Sequence, residues 1–357
     1  MAIYLGIALI VALLYNQLLG EGNMGVALGE ILPRNKIDLD QIDTVAIDGY
    51  NTIYQFLSII RQRDGTPLMD SAGRTTSHLS GLFYRNAHIL QAGVRCAYVF
   101  DGEPPDLKKH TVVKRREIRE QATQEWVRAK AEGRPDAFKF AQASSRIDDY
   151  ILESSKRLLH YLGIPVIEAP SEGEAQAAYM AIKGDVSFTG SQDVDALLFG
   201  APRLVRNITI TGRRKLPGRN VHISVSPELI ELADVLESLG ITREQLIDIG
   251  ILVGTDYNEG VKGVGPKKAL KLVKQFGIEK ALEELNESIS YVPIKEFFLK
   301  PNVTDNYVLK WTSIQEDDLL HFLCDEHDFS RERVENTLQR LEEAQHDADQ
   351  SSLARWL

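Results

Sequence analysis

The stretch DTVAIDGYN, Asp43 to Asn51, decides how the chain is read. It reads as a buried strand that ends at Asp48. VRCAYVFDGEPP, Val94 to Pro105, repeats the pattern, with a strand ending at Asp101 and a glycine- and proline-rich turn after it. GDVSFTGSQDVD, Gly184 to Asp195, gives a third strand and then a loop bearing two aspartates. Helical patterns lie between them: SHLSGLFYRNAHILQAG, stopped by Gly93, and DDYILESSKRLLHYLG, stopped by Gly163. Strands alternating with helices predict an α/β fold, a central and largely parallel twisted sheet flanked by helices. In such sheets function gathers at the carboxyl ends of the strands, where Asp48, Asp101, Asp193 and Asp195 all fall.

Outside this frame, residues 106–147 are charged and helical by composition, broken at EGRPDA (Glu132–Ala137), and look like an insertion over the sheet. After Ser226 the chain reads as mostly helical, ending in a charged helix over Arg331–Ala348 and a short tail. The net charge of −10 argues against a polyanion partner only until its distribution is examined. Glu316–Gln350 holds 12 acidic and 3 basic residues, so almost the whole excess sits near the C-terminus. Three basic clusters remain elsewhere: Lys108–Arg119, Arg203–Arg219 and Lys262–Lys280, each with 6 Lys or Arg and at most 1 acidic residue. Over a Debye length it is such local patches that attract phosphate. One basic run alone is an ordinary solvated helix face; three, flanked by glycines and aromatics, favour nucleic acid. Cys96 and Cys324 match no metal or redox spacing, which makes a reducing, intracellular location the default.

The carboxylates carry the chemistry. EAPSEGEAQAAYMA, Glu168 to Ala181, starts a helix, with Ser171 as the expected N-cap and Glu174 closing a capping box. That accounts for Glu174 but not for Glu172. Asp48 has its own structural reading as the cap of the helix that follows it, and Asp193 and Asp195 as loop and helix-start residues. Taken singly, each is more simply structural. Together with Asp256, in LVGTDYNEG, they place mutually repelling charges on one rim. Hard divalent cations resolve such repulsion, because Mg²⁺ takes oxygen ligands and keeps several waters. Two of them about 4 Å apart are suited to phosphodiester cleavage. No His or Cys cluster suggests zinc, and neither a P-loop nor a Ser-His-Asp signature is present.

GVKGVGPKKALKLVKQFG, Gly260 to Gly277, is the second signal. Gly263 and Gly265 make a tight turn, Pro266 suits the first helical position, and Lys267 and Lys268 follow in the first turn. Free N–H groups at a helix start, helped by lysines, form a seat for a phosphate backbone and read no bases.

These blocks resemble the flap structure-specific endonucleases of the 5′ nuclease superfamily, most of all the archaeal form. AIDGYNTIYQFL, TTSHLSGLFYR, YVFDGEPPDLK, EAPSEGEAQAAYM, SQDVDALLFG and LVGTDYNEGVKGVGPKKAL stand in that family's order, and the likeness runs from Met24 to the last residue. The resemblance implies a helical arch at 106–147, a helix–two-turn–helix DNA-binding element around Gly260–Lys268, and two Mg²⁺ ions, with Mn²⁺ as a substitute. Asp48, Asp101, Glu172 and Glu174 match the first-metal side; Asp193, Asp195 and Asp256 match the second. Lys108 and Arg115 match arch residues on the scissile phosphate, and Tyr54 an aromatic that stacks on the base beside the cut. Gly25, Arg61, Arg85, Glu172, Gly254, Asp256, Gly263, Gly265, Lys267 and Lys268 match positions at or beside DNA, and K⁺ would be held by main-chain oxygens of the hairpin. The implied reaction is cleavage of 5′ flaps at the single-strand/duplex junction, with 5′-3′ exonuclease activity, in Okazaki fragment maturation and base excision repair. The implied location is cytoplasmic and nucleoid-associated, and the implied state a monomer.

QSSLARWL, Gln350 to Leu357, resembles the family's sliding-clamp motif, with Gln350, Leu353, Trp356 and Leu357 as anchors on one face of a short helical turn. Leu357 departs from the more usual second aromatic. The expected division is 24–121 and 139–280 as nuclease regions, 122–138 as arch, 281–348 as a helical region and 349–357 as the tail. Residues 1–23 hold a 14-residue apolar run, Ala2–Tyr15, short of the ~20 that span a bilayer. With Met24-Gly25 matching the family's start, they read as a spurious upstream extension. Three alternatives stand beside the flap enzyme: a paralogous nick-directed exonuclease or bubble-cutting nuclease, a non-catalytic junction or clamp adaptor, and a membrane-tethered protein.

Overall fold

The computed structural model describes residues 26–354 apart from 63, 135, 211 and 216–221, with backbone only at 110, 212–215, 222–224 and 345–354. Met24, Gly25, Ala2–Tyr15, Trp356 and Leu357 lie outside the described residues, as do the side chains of Gln350 and Leu353.

Nine strands are described: β1 (Asn35–Lys36), β2 (Thr44–Asp48), β3 (Arg95–Phe100), β4 (Val166–Glu168), β5 (Phe188–Gly190), β6 (Arg203–Arg206), β7 (Gly212–Lys215), β8 (His222–Val225) and β9 (Glu228–Glu231). Seven form one sheet in the order β1-β9-β6-β5-β2-β3-β4, and β7 and β8 form a separate antiparallel ribbon. The five strands β6-β5-β2-β3-β4 are parallel, and β9 and β1 close one edge antiparallel. The sheet is thus the mixed, mostly parallel one that the strand–helix alternation predicts.

All five residues of β2 are buried because helices cover both faces of the sheet. Side chains alternate across it. Val45 and Ile47 pack with Phe56, Leu82, Phe83 and Leu158 from the helices Gly49–Ile59, Ser77–Gln91 and Asp149–Tyr161. Ala46 packs on the other side with Ala177 and Met180 of the helix Gly173–Lys183. Gly81 lets two helices on the first face touch, since a Cβ there would lie 2.3 Å from the Phe56 ring. A third core joins the helices Arg243–Val253, Pro266–Glu284 and Tyr291–Leu299.

The region after Ser226 is mostly helical as expected, with β9 pairing β6 before the helices begin. Two expectations need correction. The C-terminal helix does not stop at Ala348; it runs Arg331–Ala354, into the stretch read as tail. Ser171 does not cap the helix of Glu172 and Glu174. The helix begins at Gly173, Glu172 holds the cap position with extended backbone, and no side chain bonds the cap. The charged insertion is two helices, Lys109–Ala131 and Ala137–Ala143. Among the described residues no helix is long and apolar enough to cross a membrane.

Candidate active site

The register of the parallel strands gathers the acidic residues. Asp48 stands opposite Val99 and Ile47 opposite Gly190, so β2, β3 and β5 end at one level. Asp48 ends β2 and accepts from Asn51 N–H at 2.9 Å, which fulfils its structural reading as a helix cap. Asp101 follows β3 and accepts from Gly173 N–H at 2.6 Å. Glu174 accepts from the Ser191 hydroxyl at 2.6 Å, not from a capping box. Asp193 accepts from the Asn51 side-chain amide at 2.5 Å, and Asp195 from Val26 N–H at 2.7 Å.

Asp256 arrives from the loop after Arg243–Val253. Gly254 and Gly260 shape that loop at φ of +113° and +70°. A Cβ on Gly260 would lie 2.4 Å from the Val253 carbonyl.

Lys108 and Arg115 reach the same rim from the insertion. Lys108 Nζ lies 2.6 Å from Glu172 Oε2 and 3.4 Å from Asp256 Oδ2, and Arg115 Nη2 lies 2.5 Å from Asp256 Oδ1. Thr111 donates to the Asp256 carbonyl at 2.6 Å, and Lys114 pairs with Glu259 at 2.6 Å. Residues 108, 111 and 115 share a face at helical spacing, so the base of the long helix is seated on the Asp256 loop.

Seven carboxylates thus meet two nearby cations, and the imbalance shows in their ionisation. Burial first, and the Asp101 charge second, push Asp48 up to about 7. Burial and then Asp256 push Asp195 up to about 7. Glu174 and Asp193 are raised well above the usual carboxylate range by burial, then by Asp195. Burial also raises Asp101 and Glu172. The oxygen-only donor set and this mutual repulsion fit hard divalent cations. Among the described residues no three His, Cys, Asp or Glu close into a ready-made cage. An ion that keeps several waters does not require one.

A pH prediction follows for the chelated protein. Asp195 has a folded value of about 7 against 3.8 ordinarily, so between roughly pH 4 and 7 the folded state holds the extra proton. Its contribution to stability is greatest at the acid end and is lost as pH rises to 7. Asp195→Asn keeps an acceptor for Val26 without the charge. Its melting temperature should therefore come closest to wild type near pH 4, exceed it increasingly as pH rises to 7, and keep that margin above pH 7. Referring the variant to wild type cancels buried His78, held at about 3 by burial, which works in the opposite direction. A difference that shrank with pH would contradict the assignment.

The other sequence-designated positions are more scattered. Tyr54 lies on Gly49–Ile59 with the Arg119 guanidinium 5.7 Å from its ring centre. Arg61 donates to Leu57 O, Gly65 O and Ser145 Oγ, at 2.7, 2.7 and 2.8 Å, so its guanidinium ties the end of the preceding helix to Gly65 and Ser145. Arg85 is on Ser77–Gln91. Gly263 has φ +78°, Gly265 caps the helix that starts at Pro266, and Lys267 and Lys268 are exposed in its first turn. Sequence reasoning missed Asn51 and Ser191, which bond the carboxylates of Asp193 and Glu174, and Thr111, which holds the Asp256 main chain. It also missed Tyr257, whose hydroxyl is raised well above its usual value by burial and then by Glu172 and Asp195. Asn51 and Ser191 stand inside the quoted blocks, but nothing in their spacing marks the contacts.

The chain matches the XPG N-terminal domain over residues 31–122 and the XPG I-region over 163–256. All seven carboxylates, Lys108 and Arg115 fall inside these two regions. It is 56% identical over 337 residues to Flap endonuclease 1 of Pyrococcus furiosus, covering 93% of this chain and 99% of that protein. Identity to Flap endonuclease 1 of Archaeoglobus fulgidus is 54% over 337 residues, covering 93% and 100%. Among solved structures, flap endonuclease-1 from Methanococcus jannaschii aligns with a TM-score of 0.71 and 41% identity, over 91% of this chain and 100% of that one. The catalytic core of Rad2 in complex with DNA substrate aligns at 0.65 with 23% identity, over 88% and 97%, a likeness of fold alone. With relatives this similar over nearly the whole of both chains, this chain belongs to the flap endonuclease family.

Proposed function

We propose that this flap endonuclease cuts 5′ flaps in branched DNA at the junction with duplex, using Mg²⁺ held on the carboxylate rim. The observation that supports it most is the rim itself, seven carboxylates crowded at the strand ends with two cations delivered to them by one helix. Asp48, Asp101, Glu172 and Glu174 would hold one ion, and Asp193, Asp195 and Asp256 the other. When bound, the ions supply an activated water and neutralise charge on the scissile phosphate. Lys108 and Arg115 then orient that phosphate and stabilise the charge that develops on it. Tyr54 stacks on the base beside the cut. The 106–147 insertion is the arch that takes the single strand, through an electrostatic channel with stacking. The Gly260–Lys268 turn grips the duplex backbone through helix-start N–H groups and lysines, with K⁺ on its carbonyls. The match is to shape, so no base-reading element is required.

A cleavage assay with and without Mg²⁺, on 5′-flap, bubble and nicked duplex substrates, tests this. The flap should be cut fastest, and only with the metal. Faster cutting of the bubble or of the nick would favour a paralogous nuclease instead.

The C-terminal stretch supports a second contact, with a ring-shaped sliding clamp through Gln350, Leu353, Trp356 and Leu357. Trp356→Ala should reduce capture by immobilised clamp at least about tenfold, as expected when a buried aromatic anchor is lost. Unchanged capture would remove the tail from clamp binding.

A further inference from the structure

Away from the carboxylate rim, two imidazoles and a phenol meet where the C-terminal segment docks. His78 lies on Ser77–Gln91, Tyr150 on Asp149–Tyr161, and His327 in the turn before the last helix. The Tyr150 ring centre is 6.0 Å from that of His78 and 6.2 Å from that of His327. His78 and His327 are 0% and 3% exposed. His78 Nδ1, Tyr150 Oη and His327 Nε2 are buried; the two imidazole nitrogens have no hydrogen-bond partner among the described residues, and the Tyr150 hydroxyl has beside it only Ser154 Oγ of its own helix.

The bonds these side chains do make fix both tautomers. Ser154 Oγ lies 2.6 Å from the Tyr150 carbonyl, one turn back on the same helix. A carbonyl only accepts, so the single hydroxyl proton of Ser154 is committed there. The 2.8 Å contact between His78 Nε2 and Ser154 Oγ must then be an N–H donated by the imidazole. His78 Nδ1 is left as a bare lone pair. His327 Nδ1 lies 2.7 Å from the Phe322 carbonyl and so carries its proton, leaving Nε2 as a second bare lone pair. Because the Ser154 proton is directed at that carbonyl, the Tyr150 hydroxyl still has its own proton to give.

We infer that one internal water binds here, donating to His78 Nδ1 and to His327 Nε2 and accepting from the Tyr150 hydroxyl. The count closes: two acceptors take its two protons, and one donor fills a lone pair. Buried polar atoms are rarely left unpaired, and internal waters make about three such bonds. A transition-metal ion suits two imidazole lone pairs less well in this place. The adjacent carboxylate, Asp70, is already bonded to Arg74 N–H and Nε at 2.8 and 2.7 Å, which leaves no free anion to balance a buried dication.

The water would complete a joint already fastened by direct bonds. Arg74 donates to the Glu326 carbonyl, and Ser71 N–H donates to Asp328 Oδ2 at 2.5 Å. Arg157 grips both oxygens of Glu326, at 2.8 and 2.6 Å. Loop 70–76, helix Asp149–Tyr161 and the turn before the last helix are thereby held as one unit.

Two measurements on the full chain test this. A high-resolution crystal structure should show a single density peak about 2.7–3.2 Å from all three atoms, without anomalous signal. Nitrogen-15 NMR at neutral pH should show His78 protonated on Nε2 and His327 on Nδ1. No peak, a peak with a metal's anomalous signal, or either imidazole in the opposite tautomer would overturn the inference.

Discussion

Asp193→Ala and Asp193→Asn are both expected to lower flap cleavage by about 10³-fold or more, while binding of a 5′ flap stays within a few fold. Asp193 is half-buried beside Asp195, Asp48 and Asp256, and its carboxyl is raised well above the ordinary range by desolvation and then by those charges. Its proposed value lies in holding a cation; without one, its charge is a cost. The same substitutions therefore have a second, opposite effect. In chelator, Asp193→Asn should melt above wild type, since it removes a repelled charge and keeps an acceptor for the Asn51 amide. Asp193→Ala strands that amide and should gain less. Cleavage within tenfold of wild type would discard the metal assignment. Lost cleavage with a lowered melting temperature in the Asn variant would make Asp193 a structural residue.

The same side chains show what the sequence could and could not disclose. β2 and β3 were legible because a strand buried on both faces is a continuous apolar run, and both runs stop at an aspartate. β4, β5 and β6 have three or four residues each. Strands that short carry little pattern of their own; β5 was legible because its loop bears Asp193 and Asp195. β9 exists because it pairs with β6, a partner that local propensity does not register. Ser171-x-x-Glu174 has the letters of a capping box, yet Gly173 N–H is taken by Asp101, 72 residues earlier, and Glu174 by Ser191. Tertiary bonds outbid the local motif. The Asn51–Asp193 bond spans 142 positions, beyond any spacing argument. Where the site departs from local rules, it does so to crowd negative charge, a local cost accepted at functional sites.

Lys108→Met should lower the rate constant for flap cleavage by about 10²- to 10³-fold, corresponding to about 3–4 kcal/mol of lost transition-state stabilisation. Arg115→Met should do the same, and the pair together less than the product, because both are proposed to act on one phosphate. Duplex binding should barely change, since the proposed duplex grip lies in the Gly260–Lys268 turn. Methionine keeps the apolar stem and removes only the charge, which separates electrostatics from packing. A second readout does not depend on turnover. Lys108 Nζ is 2.6 Å from Glu172 Oε2 and mostly buried, and burial opposes its charge while Glu172 and Asp256 sustain it. The lysine and a divalent cation want the same oxygens. Calorimetric Mg²⁺ affinity, measured without DNA, should therefore rise several-fold in Lys108→Met even as cleavage collapses. A residue that merely braced the helix base would lose both together, and weakened Mg²⁺ binding in the variant would assign Lys108 to that bracing role.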